Sequence, residues 1–471
     1  MQLSMEELLN ISPIDGRYKN LTKEVGDYFS EYNLIKNRVL VEIEWLKKLF
    51  IELNIEHTSK EIEVLDKIAE NFNIEEAKRV KEIESITKHD VKTVEYYIDE
   101  KLKQNNMEKY NYLVHFACTS EDINNIAYGI MEKELIENVY IPNVQKLLET
   151  LKEKANMYKE IPMLSHTHGQ NATPTTVGKE FTIFIYRINK ILNKIKQEKF
   201  TGKFNGTVGN FNAHVISYPN IDWIKVSKEF VESFGLEYNL YTTQIESHDT
   251  LCMVFSEISL LNNIILDFDS DMWMYISRDY FIQKNVAGEV GSSVMPHKIN
   301  PINFENSMAN IKMANGVISV LTENLQTSRM QRDLSDSSLL RNIGNAIAYS
   351  IIAIKQSIIG LNKLHVNEDL LRKELENTPE VLAEAVQTIL RKNKYENAYE
   401  LLKQMTRGKK ITLEEIRKFV KELDIDEEDK KRLLELTPEK YIGLAPKLVA
   451  FGDTSQKHLK DVSGDRLQKQ D

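Results

Sequence analysis

From Leu34 to Phe50 the apolar residues Leu34, Ile35, Val39, Val41, Ile43, Leu46 and Leu49 fall largely on one helical stripe, with Lys and Glu between them. That is the period of an amphipathic helix. A second helical pattern, highly charged, covers 73–104 and breaks at Thr87-Lys88-His89-Asp90; a loop-like patch before His115 then marks a domain border. The middle of the chain differs, because the windows 255–275, 308–325 and 339–361 are apolar on more than one side. Such helices must be enclosed by other helices, from the same chain or from neighbouring subunits, and the pattern alone leaves both open. Segment 142–158 has a cleaner amphipathic period and carries Pro142 where a first helical turn would accept it, which predicts a helix on the rim of that bundle. Three irregular, chemically dense stretches lie between the helices, at 165–170, 202–212 and 288–301, and chemistry is usually mounted on loops of this kind. From about Asn367 the sequence is charged again, with short helix patterns and a tail after Phe451. The expected organisation is 1–113, 114–365 and 366–471, an N-terminal helical domain, a central helical bundle and a C-terminal helical domain.

Composition supports long helices, since 18 Gly and 10 Pro in 471 residues are about half the usual share and a chain of tight hairpins needs more. The balance of 61 basic against 71 acidic residues, net −10, offers no global attraction to nucleic acid or anionic lipid. Cys118 and Cys252 are far apart and suggest neither a disulfide framework nor a thiolate metal site. Without an N-terminal signal pattern or eighteen consecutive uncharged apolar residues, the expectation is a cytoplasmic protein. Internal repeats, a Walker loop and a dinucleotide fingerprint are all missing from the sequence.

The densest chemistry is Gly288-Glu289-Val290-Gly291-Ser292-Ser293-Val294-Met295-Pro296-His297-Lys298-Ile299-Asn300-Pro301. Its glycines and prolines fix an irregular backbone carrying two hydroxyls, an imidazole, an ammonium and a carboxamide, and composition alone would equally allow a solvated connector. The pattern GSSxMPxKxNP resembles the signature of the fumarase/aspartase superfamily, which cleaves C–N or C–O bonds by β-elimination and releases fumarate. The likeness sharpens at Ser12 to Tyr18, His115 to Asn125, Thr167 to Gln170, Asn205 to Asn210 and Arg329 to Arg341. In that combination the chain is similar to the longer bacterial-type branch that acts on succinylated purine nucleotides. The resemblance implies an all-α, three-domain subunit, a homotetramer around a shared central helix bundle, and active sites composed from three subunits. It implies elimination of fumarate from adenylosuccinate, giving AMP, and from SAICAR, giving AICAR, without a cofactor or metal.

The chemical difficulty is to remove a carbon-bound proton beside a carboxylate, so donors must await the charge of the aci-carboxylate. On matching positions the resemblance makes Ser292 the general base, with Ser293 its rival. Serine is too weak an acid to act unaided and would need Lys298, loop amides and exclusion of water. His168 becomes the general acid, suited by an imidazole pKa near neutrality, with Glu305 orienting it. His166 and His168 could instead be half a metal site, but no further ligands stand at recognisable spacing. Arg17, Tyr18, Arg332, Ser337 and Arg341 resemble the nucleotide-holding set, the arginine fork suiting phosphate or carboxylate. Thr119 and Ser120 would hold the succinyl group, with Lys298 and Asn300 on its carboxylates. Lys88, His89, Asp90, Gln244 and Asn306 complete the pattern, His89 either assisting the acid step or binding phosphate. Cys118 reads as a small packed residue rather than a nucleophile. Other members of the superfamily with smaller substrates, or a silent helical scaffold, are the competing readings; the paired Arg17-Tyr18 and Arg332 to Arg341 oppose the first, and the full set of reactive side chains opposes the second.

Overall fold

The computed structural model describes residues 8–284, 294–295, 297–406 and 411–451. The principal helices in chain order are α1 Glu31–Glu52, α2 Ile74–Thr87, α3 Asp90–Gln104, α4 Ser120–Leu135, α5 Ile141–Met157, α6 Val177–Ile195, α7 Asp249–Ser277, α8 Ile302–Asn324, α9 Ser335–Leu340 and α10 Ile343–Lys363. The all-α expectation holds for the fold, and the described strands form three two-stranded ladders. The break expected within 73–104 is present. Asn73 caps α2 by accepting from the Glu75 and Glu76 amides, and Lys88 ends it in a left-handed conformation at φ 56°.

Two compact units emerge. The first gathers the described residues up to Val144 with Ile191–Asn263 and Ala309–Lys355; the second gathers Gln145–Lys190, Ile264–Met308 and the described residues from Gln356 onward. The core of the first unit is aromatic around Trp45, whose ring lies 4.3 Å from Phe204 and 5.1 Å from Phe230. Its indole N–H donates to the Phe116 carbonyl at 3.0 Å, satisfying the one polar atom of a fully buried side chain. In the second unit Phe181 and Phe184 pack on Phe268, and Leu390, Leu402, Ile416 and Val420 are among the buried residues of the small C-terminal helices.

Pro142 stands in the first turn of α5, as expected, directly after a five-residue π-helical turn, Ile136–Tyr140, that follows α4. A wide turn accommodates the ring that would clash with a regular preceding turn. One sequence reading changes: the stretch 165–170 is not irregular, for Pro162–Thr167 (β1) and Gln170–Thr176 (β2) pair as an antiparallel hairpin. The windows Asp249–Ser277 and Ser335–Lys363 are long and apolar enough to cross a membrane by length and composition, yet 56% and 72% of their most apolar stretches are buried inside the structure, as core helices are.

Within the second unit, α7, α8 and α10 share a buried polar contact. Asp269 lies 2.8 and 2.9 Å from the Ser357 hydroxyl, which is 2.9 Å from that of Ser307. Burial pushes the Asp269 carboxyl up to about 8, with the two serine hydrogen bonds pulling the other way. An unfolded Asp titrates near about pH 4, so between there and pH 8 the folded chain keeps a proton that the unfolded chain has released, and each step up in pH costs stability. Asp269→Asn removes that slope. Its melting temperature relative to the parent should rise steadily from pH 5 to pH 8, and a difference that stays constant with pH would refute the assignment.

Candidate active site

In the first unit, Thr119 and Ser120 begin α4. Asp122 Oδ2 accepts the Thr119 amide at 2.8 Å, closing the helix end, while Asp122 Oδ1 accepts the Lys203 ammonium at 2.9 Å and the Asn205 amide at 3.0 Å. The Gly206 amide donates to the same carboxylate. Both members of the Asp122–Lys203 pair are fully buried, so this ion pair ties the start of α4 to the Asn205 to Asn210 loop in a low-dielectric setting. Gly209 of that loop sits at φ 82° and so close to the Thr242 carbonyl that a Cβ would fall 2.2 Å from it, which only glycine permits.

That close approach brings the loop alongside Gln244. Gln244 Nε2 donates to Thr119 Oγ1 at 3.0 Å. Arg332 Nη2 donates to Glu121 Oε1 at 2.9 Å and to Ser337 Oγ at 3.3 Å, while Nη1 approaches Gln244 Oε1 at 3.5 Å. An open cleft of ≈ 510 Å³ is lined here by Thr207, Val208, Gln244 and Arg329 to Asp333.

The network continues through side chains to which the sequence reading gave no role. Glu121 Oε1 also accepts Asn124 Nδ2 at 2.8 Å; Asn124 Oδ1 accepts Arg38 Nε at 2.7 Å; and Arg38 Nη2 donates to Asp90 Oδ2 at 2.7 Å. Arg341 Nη2 reaches the same Asp90 oxygen at 3.4 Å, and its Nη1 pairs with Glu31. Burial pushes the Asp90 carboxyl up, but the Arg38 charge and hydrogen bond outweigh it and hold the group below its ordinary value. Thr119, Gln244, Arg332, Ser337, Asp90 and Arg341 are thus joined in one hydrogen-bonded chain. A signal for the missing members existed: Leu34, Arg38 and Glu42 are spaced i, i+4, so two charges stand on the apolar stripe of α1, where only paired charges are tolerated.

Glu42 is that second charge. It is 1% exposed and lies 2.6 Å from His115 Nδ1. Burial lowers the His115 pKa, but the Glu42 charge and hydrogen bond more than reverse this, so the ring binds its proton more tightly than a free histidine. Cys118, between His115 and Thr119, has its thiol pushed well up by burial, as suits a packed residue rather than a nucleophile. His89 caps α3, its Nδ1 accepting the Lys92 amide at 3.2 Å, and its side chain is about half exposed. Lys88 beside it is exposed. Arg17 is also exposed, its guanidinium 5.9 Å from the centre of the Tyr18 ring.

In the second unit, His168 and Gly169 are the two turn residues of the β1–β2 hairpin, with Thr167 paired to Gln170 and both turn residues at positive φ, 54° and 71°. A two-residue turn of this hand matches the twist of the strands and projects an exposed imidazole at the tip. Glu305, in the first turn of α8, accepts the Trp273 indole N–H at 3.2 Å rather than meeting His168 within the chain. Ahead of α8, the Lys298 amide donates to the Met295 carbonyl, and the Ile299 carbonyl accepts Gln283 Nε2 at 2.9 Å. Asn300 and Asn306 are partly buried on either side of the helix start, and Asn303 Nδ2 donates to Gln356 Oε1 at 2.6 Å. Ser292 and Ser293 lie outside the described residues, as do Gly288 to Gly291 and Pro296. Among the described residues, no group of three or more His, Cys, Asp or Glu is arranged to hold a metal ion.

Residues 16–318 match the family model described as lyase, and residues 328–442 match the one described as adenylosuccinate lyase C-terminal. The chain is 48% identical over 452 residues to the adenylosuccinate lyase of Buchnera aphidicola subsp. Schizaphis graminum, covering 95% of this chain and 99% of that protein. It is 47% identical to the adenylosuccinate lyase of Haemophilus influenzae and 44% identical to that of Escherichia coli K12, with the same two coverages. Among solved structures, the fumarate lyase from Mesorhizobium sp. BNC1 superposes with a TM-score of 0.73 at 16% identity, covering 91% of this chain and 97% of that one. The 3-carboxy-cis,cis-muconate lactonizing enzyme from Pseudomonas putida gives 0.71 at 18%, covering 91% and 96%. Identities this low speak to the fold alone.

Proposed function

Because this chain belongs to the lyase family, on its adenylosuccinate lyase branch, we propose that it eliminates fumarate from adenylosuccinate to leave AMP, and from SAICAR to leave AICAR, in purine biosynthesis. The observation that carries the reading to particular residues is the arginine network beside the open cleft. Arg332 and Arg341 are aligned by carboxylates yet keep donors for oxygen ligands, and the hydroxyls of Thr119 and Ser120 stand at the positive end of α4.

In the reaction, Ser292 takes the proton from the carbon next to the carboxylate, Ser293 being the alternative base. The electron pair passes through the carboxylate as an aci-carboxylate and returns to expel the purine nitrogen, forming the double bond of fumarate. His168 gives its proton to that nitrogen, and Glu305 orients the imidazole. Lys298 and Asn300 stabilise the developing charge on the carboxylates, where a fixed cation acts more strongly than in water. Thr119, Ser120 and Gln244 hold the succinyl arm. Arg17, Tyr18, Lys88, Asp90, Asn306, Arg332, Ser337 and Arg341 hold the nucleotide, with His89 presenting Nε2 to the phosphate or to the proton path. No electrons leave the substrate pair, so no redox cofactor is required.

The working assembly in this reading is a cytoplasmic homotetramer with composite sites. Its support is apolar surface on α7 and α8: Leu260, Met274, Met313 and Val320 are each about half exposed in the single chain, a cost that neighbouring subunits would remove. Purified protein given adenylosuccinate should release AMP and fumarate in equal amounts, followed by chromatography. Recovery of intact substrate across a range of pH and salt would overturn the proposal.

A further inference from the structure

Arg332 and Arg341 are linked by one line of hydrogen bonds, buried at Glu121–Asn124–Arg38 and open to water where Asp90 meets Arg341. Arg38 is 2% exposed, and a buried guanidinium is retained only where its partners repay desolvation. Its partners are Asn124 through Nε and Asp90 through Nη2. Asn124, itself buried, satisfies both neighbours in one orientation alone: its NH₂ must face the Glu121 carboxylate and its oxygen the Arg38 guanidinium. Glu121, 3% exposed, spends one oxygen on both Asn124 and Arg332. Arg332 is thereby turned so that Nη2 is occupied, while its buried Nε has no hydrogen-bond partner among the described residues.

We infer that Glu121, Asn124 and Arg38 are positioning residues, a relay that fixes Arg332 and Arg341 relative to one another so that both engage a single nucleotide. This deepens the proposed function and rests on it. Charge alternates along the line, from Arg332 through Glu121, Arg38 and Asp90 to Arg341, so a disturbance at the neutral Asn124 link reaches both ends without adding or removing a charge.

The test is Asn124→Ala in the full-length enzyme, with Glu121→Gln as a second variant of unchanged shape should the first fail to fold. In protein that melts as the parent does, KM for adenylosuccinate and the inhibition constant of AMP should both rise roughly tenfold, with kcat within threefold and the inhibition constant of fumarate unmoved. A general structural defect would lower kcat or weaken both products alike. Unchanged AMP inhibition in a folded variant would overturn the relay. If the parent itself does not cleave adenylosuccinate, the proposed function fails, and a crystal structure of Asn124→Ala still decides the relay: Arg332 and Arg341 unmoved would refute it, and both displaced would uphold it.

Discussion

His168→Asn protein should fold, assemble and bind adenylosuccinate as the parent does, while kcat falls roughly 10²- to 10⁴-fold, the range that loss of a general acid produces. Asparagine is the right replacement because position 168 is left-handed, at φ 54°, where asparagine is at ease and most side chains are not. The turn therefore survives and the result reports on the imidazole. Loss of the acid leaves a poor nitrogen leaving group, so the deficit should lie in kcat with KM little changed. If kcat changes by less than about threefold, the acid must be sought elsewhere, His89 being first in line. The same variant tests site sharing. Mixed tetramers of His168→Asn and Ser292→Ala chains should regain part of the parent's turnover if the two groups reach one site from different subunits, and confirmed mixed tetramers without rescue would oppose that assembly.

The largest loss of stability should follow Asp122→Ala. The substitution leaves the Lys203 ammonium buried with the Gly206 carbonyl at 3.2 Å but no counter-charge, and strips the acceptor from the amides of Thr119, Asn205 and Gly206. Removing one partner of a buried ion pair typically costs about 3–5 kcal/mol, because the other charge remains desolvated. Asp122→Asn should be less damaging, since one amide oxygen can still accept. Denaturant titration of both variants against the parent measures this, and a midpoint for Asp122→Ala indistinguishable from the parent would show that the network repacks freely.

Much of the fold could be read from the chain because its helices announce themselves. The break at Thr87 to Asp90 and the long apolar helices α7, α8 and α10 follow from periodicity. The residues that organise the first unit were harder to see. Periodicity assigns charged positions to solvent, and Arg38, Glu42, Glu121, Asp122 and Lys203 break that rule, Asp122 and Lys203 pairing with each other and the rest with Asp90, His115 and Arg332 in turn. Such pairs join positions as far apart as 121 and 332, so charges on an apolar stripe, as at Arg38 and Glu42, signal that partners exist but not which residues they are. The hairpin at His168 was hidden for the opposite reason. Ser, His, Gln and Asn are weak strand formers, Pro162 and Pro174 interrupt the pattern the threonines favour, and there is little apolar alternation; the two-residue turn joins the strands.

The contact between Arg341 and Glu31 differs from the buried links of the same network in being open to water on both sides, each side chain about two-fifths exposed. An ion pair so placed is worth only about 0–1 kcal/mol. Under the proposed function, in which Arg341 holds the nucleotide, Glu31 is a placeholder anion that a phosphate would displace at small cost. The same small cost, run in reverse, would let Glu31 reclaim the arginine as product departs.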